Sequence, residues 1–206
     1  MIADAITLRP AALEDAGVLA DLLVQLFNSE APGVLRGPVA DHVCLFRYLV
    51  EHELVGGGRY VAADASGQIV GSASLRSPAI SGDGMLPPGT LQAAISMIGI
   101  GDTLRLFLSA MRASLTTDVS LRPGECYVYS VVVDASARGR GVGEAMMAQL
   151  EDAARQMGAR AALLRVLVRN ETARRLYTRL GYRFVSRTPA ALDWIASPTE
   201  LMRKEL

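Results

Sequence analysis

The first feature of the sequence that could do chemistry is a short run of glycines and arginines between a valine-rich segment and a predicted helix. Its residues are Arg138, Gly139, Arg140, Gly141, Val142 and Gly143. Glycines let the backbone approach a ligand closely, and the free N–H groups at a helix start favour phosphate. The two arginines add charge-assisted hydrogen-bond donors. The run therefore predicts a binding site for a pyrophosphate group.

Two common nucleotide-binding motifs are excluded at this run. A Walker A loop ends in Gly-Lys-Ser or Gly-Lys-Thr, and no such ending is present. The dinucleotide fingerprint GxGxxG fails in both possible registers. Begun at Gly139 it needs a glycine where the chain has Glu144, and begun at Gly141 it needs one where the chain has Met146.

A second run lies about thirty residues downstream, beyond another predicted strand. It reads Asn170-x-x-Ala173-x-x-Leu176-Tyr177-x-x-Leu180-Gly181-Tyr182. In this order and spacing the two runs resemble the cofactor-side motifs of the GNAT superfamily of N-acetyltransferases, whose cofactor loop has the form Arg/Gln-x-x-Gly-x-Gly/Ala. The resemblance covers most of the chain. It is weakest over residues 77–124, which we expect to form a helical insertion before strand four.

The resemblance implies both a fold and a reaction. The fold is α/β (α+β), with a mixed, mostly antiparallel sheet of about seven strands that is splayed between strands four and five and flanked by helices. Acetyl-CoA would lay its pantetheine arm along Val131, Val132 and Val133 and its pyrophosphate on the N–H groups of residues 138–143. The acetyl group would pass directly to a primary amine of a small molecule or a peptide, in a ternary complex and without a metal.

The resemblance also assigns catalytic groups. Tyr177 matches the general acid that protonates the departing thiolate, and a free tyrosine has a pKa of about 10. Glu125, just before strand four, is by analogy the carboxylate best placed to deprotonate the amine, with Tyr127 and Ser130 as other candidates. The expected cofactor-binding set also includes Tyr177 itself, Asn170 and Ala173.

Each of these residues also has a purely structural interpretation. The glycine run could be an ordinary tight turn, Tyr177 could be a core aromatic residue, Asn170 could cap its helix, and Glu125 could be a solvated residue at a strand start. For the whole protein, the alternative is a catalytically silent module that binds or senses acetyl-CoA. A positioned tyrosine favours the enzyme, because a pure binding protein needs no general acid.

Length and composition predict one domain over residues 1–206, with 50% hydrophobic and 20% charged residues. The formal net charge is zero, but it is unevenly distributed: residues 1–133 carry 8 basic and 13 acidic side chains, whereas residues 134–187 carry 11 basic and 5 acidic ones. A basic segment inside a neutral chain indicates a local anionic ligand and no nucleic-acid partner. The acidic excess of the first segment favours a cationic amine as the acceptor.

The sequence offers no sign of a metal site, a membrane segment or export. Cys44, Cys126, His42 and His52 lack the spacing of a zinc site or a disulfide framework, and both histidines are expected on helix surfaces. We expect no secretory signal, no apolar run of transmembrane length and no membrane partner. Cytoplasmic residence is therefore the expectation.

Periodicity and glycine or proline breaks predict the elements that must position these residues. Strands are predicted at residues 5–9, 59–63, 69–75, 126–133, 161–168, 182–187 and 201–206. Helices are predicted at 13–27, 41–55, 91–116, 141–157 and 172–180, the third interrupted near Gly99 and Gly101. The third helix has an apolar stripe that is more typical of core or dimer packing than of a substrate lid, so a homodimer is possible. The stripe consists of Leu104, Phe107, Leu108, Met111 and Leu115.

Overall fold

The computed structural model describes residues 6–78, 86–117, 119–194 and 196–206. Within these ranges the chain forms a seven-stranded sheet with the order β1-β2-β3-β4-β5-β7-β6. All neighbouring strands are antiparallel except β4 and β5, which confirms the predicted mixed, mostly antiparallel sheet. Ala5 of the first predicted strand and residues 79–85 of the predicted insertion lie outside the described residues. The strands are β1 (Thr7–Pro10), β2 (Arg59–Ala63), β3 (Ile69–Arg76), β4 (Glu125–Val133), β5 (Ala161–Leu167), β6 (Arg183–Arg187) and β7 (Thr199–Glu205).

Helices of the described chain cover both faces of the sheet. Successive side chains of a strand point to opposite faces. In β2, Val61 packs with α1 and α2, whereas Ala62 packs in the cluster that contains α4 and α5. Each helix begins and ends within three residues of its predicted bounds. The helices are α1 (Ala16–Glu30), α2 (Val39–Gly56), α3 (Thr90–Thr117), α4 (Val142–Gln156) and α5 (Glu171–Arg179).

The main core lies between the sheet and α4. Met146 and Leu150 of α4 are fully buried against Val128 of β4 and Leu164 of β5. Burying an aliphatic side chain of this size contributes about 1.5–3 kcal/mol, so these four fix α4 firmly on the two strands. Met157, which follows the last residue of α4, is 41% exposed and lies outside this core.

The inner face of α4 also holds a carboxylate. Glu151 is 4% exposed and accepts a hydrogen bond from Lys204 Nζ at 2.6 Å. The ammonium group lies 5.7 Å from the centre of the Tyr182 ring, over its face. Because a buried charge needs a partner, this ion pair ties α4 to the last strand.

The inserted helix α3 is broken at Gly99, whose φ of 73° and ψ of 166° are not helical. A positive φ suits glycine, which explains the predicted interruption. Gly101, the other predicted break, lies within the second helical part. The part of α3 before Gly99 therefore has a different direction from the part after it.

A buried carboxylate attaches α3 to the rest of the fold. Asp102 accepts hydrogen bonds from the backbone N–H groups of Arg36 and Gly37, both at 2.9 Å, and from His42 Nε2 at 3.1 Å. Burial alone would raise the pKa of Asp102, but these bonds and an ion pair with Arg105 hold it well below its usual range. His42 is 2% exposed, so its expected place on a helix surface is wrong.

By length and composition alone, Thr90–Ser114 would be able to cross a membrane. The most apolar 18-residue stretch within it has a mean hydropathy of 1.3, and 17% of this stretch is buried. The sequence expectation that no apolar run reaches transmembrane length is therefore wrong on this criterion. A single such helix is weak evidence for a span. Its attachment through Asp102 also requires it to lie beside α2.

Candidate functional site

The central feature of the sheet is a cleft between its two parallel strands. β4 and β5 pair only from Glu125 with Ala161 to Val128 with Leu164. β5 continues to Leu167 paired with β7, whereas β4 continues to Val133 paired with β3. Beyond Val128 the two strands diverge, so the facing edge of β4 is free of a strand partner. A ligand with amide groups could pair with this edge.

An irregularity in β4 lies where the cleft opens. Ser130 has a φ of 49°, and the pairing of β4 with β3 shifts between Ser72 and Ser74. Such a bulge bends a strand and redirects its side chains. Close packing nearby holds the bent strand in place, since a Cβ on Gly71 of β3 would lie only 2.9 Å from the Val132 carbonyl oxygen.

The loop that leaves β4 is held by a network of hydrogen bonds. Asp134 accepts from Ser136 N at 2.9 Å and from Gln25 Nε2 of α1 at 3.0 Å. These bonds, above all those from Ser136, keep the pKa of Asp134 below its usual range. Gln25 Oε1 also accepts from Ala135 N at 3.2 Å. The start of the loop is therefore fixed to α1 before the glycine run begins.

The glycine run forms a cradle of backbone donors at the start of α4. Gly139 and Gly141 have φ values of 75° and 82°, which L side chains rarely adopt. Within the described chain, no hydrogen bond involves the backbone N–H groups of residues 138–143 as donors. The first N–H groups of a helix have no partner inside it and carry partial positive charge. The arrangement fits the predicted pyrophosphate site.

The third glycine of the run has a different role. Gly143 lies where a Cβ would meet Leu176 Cδ2 of α5 at 3.3 Å and Val133 Cγ2 at 3.7 Å. It permits α4, α5 and the end of β4 to meet closely. Val142 beside it is buried in the core cluster, and Val132 is also buried, so only the backbone groups of these two residues are open to a ligand.

The two arginines of the run are exposed and differ in their contacts. Arg138 Nε donates to the Val133 carbonyl at 3.0 Å, so its guanidinium lies beside the end of β4. Within the described residues, Arg140 makes no hydrogen bond or ion pair and remains available to an anion. Both groups lie next to the backbone donors, where a pyrophosphate would need positive charge.

Tyr177 lies on α5 with its ring buried. It is 6% exposed and packs edge-on against Tyr182, with ring centres 5.8 Å apart. Its hydroxyl makes no hydrogen bond to another described residue. Desolvation, with smaller contributions from Glu30 and Tyr127, raises the pKa of Tyr177 far above that of free tyrosine. The phenol is therefore protonated at neutral pH, as a general acid must be.

The other residues of the second motif have structural contacts. Asn170 caps α5, because its Oδ1 accepts from Ala173 N at 3.1 Å. This hydrogen bond confirms the capping role of Asn170 and occupies the backbone N–H of Ala173. The methyl group of Ala173 packs on the core. Cofactor contacts by Asn170 and Ala173 stay a prediction.

Glu125 lies at the closed end of the paired strands. Its carboxylate accepts from Arg122 N at 3.0 Å and lies 3.4 Å from Arg203 Nε of β7. Five residues separate it from Ser130, roughly 16 Å along a strand. These contacts suit a structural role at the sheet end, and they do not favour its predicted role as a base.

Sequence reasoning missed a polar cluster on the α1–α2 side of the cleft. Glu53 of α2 accepts two hydrogen bonds at 2.9 Å from the buried Arg59. The hydroxyl of Tyr129 lies 3.5 Å from Glu53 Oε1, at the limit of a hydrogen bond. Tyr129 directly precedes the Ser130 bulge and stacks on Tyr127, with ring centres 6.0 Å apart. Desolvation, then the charge of Glu53, raises the pKa of Tyr129, so its hydroxyl keeps its proton.

The C-terminal half of α1 reaches across the open end of the cleft. Gln25 is bound to Asp134 after β4, and Arg169 after β5 donates to the carbonyls of Ser29 and Glu30. The charge of Glu30 contributes to the raised pKa values of both Tyr127 and Tyr177. Glu30 is therefore near enough to Tyr127 and Tyr177 for its charge to affect both phenols.

A family model described as the acetyltransferase (GNAT) family matches residues 21–182. A curated relative, the uncharacterized N-acetyltransferase YycN of Bacillus subtilis, is 38% identical over 58 residues, covering 28% of this chain and 37% of the relative. The chain spans between 22% and 37% of the length of the curated proteins that it matches.

Solved structures with the same fold cover nearly the whole chain. A structure described as an acetyltransferase has a TM-score of 0.66 at 20% identity, covering 97% of this chain and 98% of its own. The structure of yncA from Salmonella typhimurium, solved with its cofactor acetyl-CoA, has a TM-score of 0.57 at 17% identity, covering 98% of this chain and 94% of its own. At these identities the likeness shows the fold alone.

Proposed function

The chain belongs to the acetyltransferase (GNAT) family and carries an N-acetyltransferase domain, and from this premise we propose that it moves the acetyl group of acetyl-CoA directly to a primary amine. The observation that carries the proposal is the junction of two features. The free edge of β4 leads straight into the backbone donors of residues 138–143. An extended amide chain that ends in a pyrophosphate fits this path.

The residues present fit the donor molecule, which supplies the acetyl group as a reactive thioester. The edge of β4 at Val131 and Val133 offers backbone groups to the pantetheine amides. The N–H groups of residues 138–143, with Arg138 and Arg140, would hold the pyrophosphate. Donors pre-set in this way need no reorganisation, which favours binding in a single orientation.

Tyr177 acts as the general acid in this proposal. Its raised pKa keeps the proton on the phenol at neutral pH, and its hydroxyl has no competing hydrogen bond within the described chain. The amine nitrogen forms the new bond to the acetyl carbon, the carbon–sulfur bond breaks, and the phenol proton passes to the departing sulfur. The nitrogen loses one proton to water, and water returns a proton to the phenolate. General acid catalysis of this kind contributes about 10²–10⁴-fold.

The amine must lose its proton to water before it attacks, and Tyr129 is better placed than Glu125 to orient the neutral amine. Because a carboxylate only accepts hydrogen bonds, Glu53 directs the Tyr129 proton toward itself and leaves the phenol lone pairs for an amine N–H. Glu53 is already paired with Arg59, so it orients Tyr129. The role of Glu125 as a base acting through water remains the alternative.

The acceptor is proposed to be a small molecule or a peptide amine, bound on the α1–α2 side of the cleft. The carboxylates of Glu30 and Glu53 lie on this side, and they favour a cationic amine there. Cytoplasmic residence is part of the same proposal, because acetyl-CoA is the expected donor.

The test is acetyl-CoA turnover with a panel of primary amines, followed as release of free thiol. We expect turnover with at least one amine, and a loss of about 10²-fold or more in kcat for Tyr177→Phe with little change in the KM for acetyl-CoA. Tyr48→Phe, on the exposed side of α2, is the matched control and should keep full activity. Tight binding of acetyl-CoA without turnover of any amine would instead identify a silent binding module.

A further inference from the structure

The second part of α3 carries an apolar stripe that nothing in the described chain covers. Ile100, Leu104, Phe107 and Met111 are 73%, 56%, 60% and 49% exposed. Their spacing of four, three and four residues places all four on one face of a helix. Leu104, Phe107 and Met111 belong to the stripe predicted from the sequence, and the side chain of Leu115 lies outside the described residues. The three exposed residues do not pack in the core, so dimer packing and a substrate lid are the interpretations that remain.

The stripe faces away from the domain. The buried Asp102, at 4% exposure, lies on the opposite side of the helix, and the buried Thr103, at 6% exposure, lies between Asp102 and the stripe. Asp102 fixes that side against the α1–α2 loop through Arg36 and Gly37. The rotation of α3 about its own axis is therefore set by polar contacts, and the exposed stripe is a fixed surface.

The spacing identifies the kind of partner. Alternating steps of three and four residues give the narrow seam by which one α-helix packs against another. A helix that lies in a membrane surface instead has a wide apolar face and a strongly charged opposite face. The opposite side of α3 is attached to the domain through Asp102, and Arg105 and Arg112 lie on one flank of the stripe. These features favour a second helix over a lipid surface.

We propose that α3 packs against α3 of a second copy of this chain, in antiparallel orientation across a two-fold axis near Leu104 and Phe107. Identical chains most often associate through such self-complementary contacts. An antiparallel arrangement keeps the two Arg112 side chains about 20 Å apart, calculated from the helical rise. A parallel arrangement in register would place them side by side.

The exposed area agrees with this partner. Each of the four side chains exposes on the order of 100 Å² to solvent, or roughly 400 Å² for the four together. This area is within the range of the largest apolar patches on monomers. A typical interface is about 56–58% apolar, so an apolar seam of this size corresponds to roughly 700 Å² per subunit. A standard stable interface buries about 800 Å² per subunit.

The test is the mass of the protein in solution, measured by light scattering or sedimentation at micromolar concentration. The wild-type chain of 21.9 kDa should have twice this mass, and Phe107→Glu should have the single mass with an unchanged circular dichroism spectrum. Val55→Glu is the matched control, because Val55 is 86% exposed at the end of α2, outside the stripe. It should stay dimeric.

Orientation has its own test. A parallel dimer in register would cross-link each single variant, Leu104→Cys or Phe107→Cys, to itself. In a Cys44→Ser background, a mixture of these two variants should instead form a disulfide under mild oxidation between residue 104 of one chain and residue 107 of the other. Val55→Cys should not.

Two results would overturn the proposal. One is a wild-type chain that stays monomeric at a protein concentration of about 100 µM, at which an interface of this size should keep two chains associated. The other is a Phe107→Glu variant that remains dimeric. If the wild-type chain is monomeric and binds vesicles of mixed neutral and anionic phospholipid while Phe107→Glu does not, the stripe is a lipid-binding surface.

Discussion

A Cβ atom on Gly143 of α4 would lie 3.3 Å from Leu176 Cδ2 of α5, closer than ordinary van der Waals contact. Tyr177 follows Leu176 in the chain, so this contact sets how near the proposed acid lies to the phosphate cradle. We expect Gly143→Ala to push α5 outward by a few tenths of an ångström. Because catalysis depends on such distances, kcat/KM for acetyl-CoA should fall roughly 3- to 10-fold.

A second substitution checks the cause of that loss. Leu176→Val removes the Cδ2 group that the new methyl would meet, so it should restore most of kcat/KM in the Gly143→Ala background. The two substitutions should therefore be non-additive in a double-mutant cycle. Equal losses in the single and the double variant would show that the helix contact is not responsible.

The left-handed conformation of Gly141 gives a prediction about cofactor binding. An alanine with a φ near 82° is strained by about 1–2 kcal/mol, and it would disturb the first donors of α4. Gly67, in the turn between β2 and β3, has a nearly identical φ of 85° with no atom nearby. Gly141→Ala and Gly67→Ala should lose similar unfolding free energy in denaturant titrations. Only Gly141→Ala should raise the KM for acetyl-CoA, by roughly tenfold or more. Equal KM values would contradict the cradle.

The pair Tyr129 and Glu53 gives a prediction that separates orientation from binding. Tyr129→Phe removes the oxygen proposed to hold the amine, so kcat should fall about 10-fold or more at saturating amine. Glu53→Gln still accepts a hydrogen bond through its amide oxygen, and it should have a smaller effect. The pH profile of kcat/KM for the amine separates this role from that of a base, because Tyr129→Phe should lower the whole profile without moving its acidic limb. An unchanged kcat in Tyr129→Phe, together with an acidic limb that moves in Glu125→Gln, would instead identify Glu125 as the base.

The low pKa of Asp102 predicts how stability depends on pH. A carboxyl group with a lowered pKa in the folded state adds stability above its unfolded value of about 3.9, and this contribution disappears as the pH falls toward the folded pKa. Asp102→Asn should therefore lower Tm at pH 7 and lower it progressively less below about pH 4. Asp41→Asn, at the half-buried start of α2, should change Tm little at either pH. A Tm difference that does not vary with pH would contradict a charged Asp102.

The fold was largely predictable from the sequence because its elements have clear local boundaries. Gly158 lies two residues after the end of α4 and prevents the helix from continuing. The apolar run after Arg160 has the length and composition of a buried strand. The cradle was predictable for the same reason, since its glycines and arginines are contiguous. The cap at Asn170 is likewise a contact between residues three apart.

Other parts of the site depend on contacts without a local signature. Tyr129 and Glu53 are 76 residues apart in the chain, and Asp102 is 60 residues from His42. Helical periodicity identified an apolar stripe on α3. It did not show which side of the helix faces the domain, because a buried aspartate decides that. Glu125 was chosen by analogy, and its contact with Arg203 of the last strand is visible only in three dimensions.

The carboxylate of Asp102 has a consequence for anyone who wishes to shorten this enzyme. Residues 86–117 lie within the segment predicted to be an insertion, but the backbone N–H groups of Arg36 and Gly37, outside it, donate to one of its side chains. Excising residues 86–117 would leave these two donors and the imidazole of His42 without an acceptor at the turn between α1 and α2. A shortened chain would therefore need a replacement acceptor at that turn in order to keep the same stability.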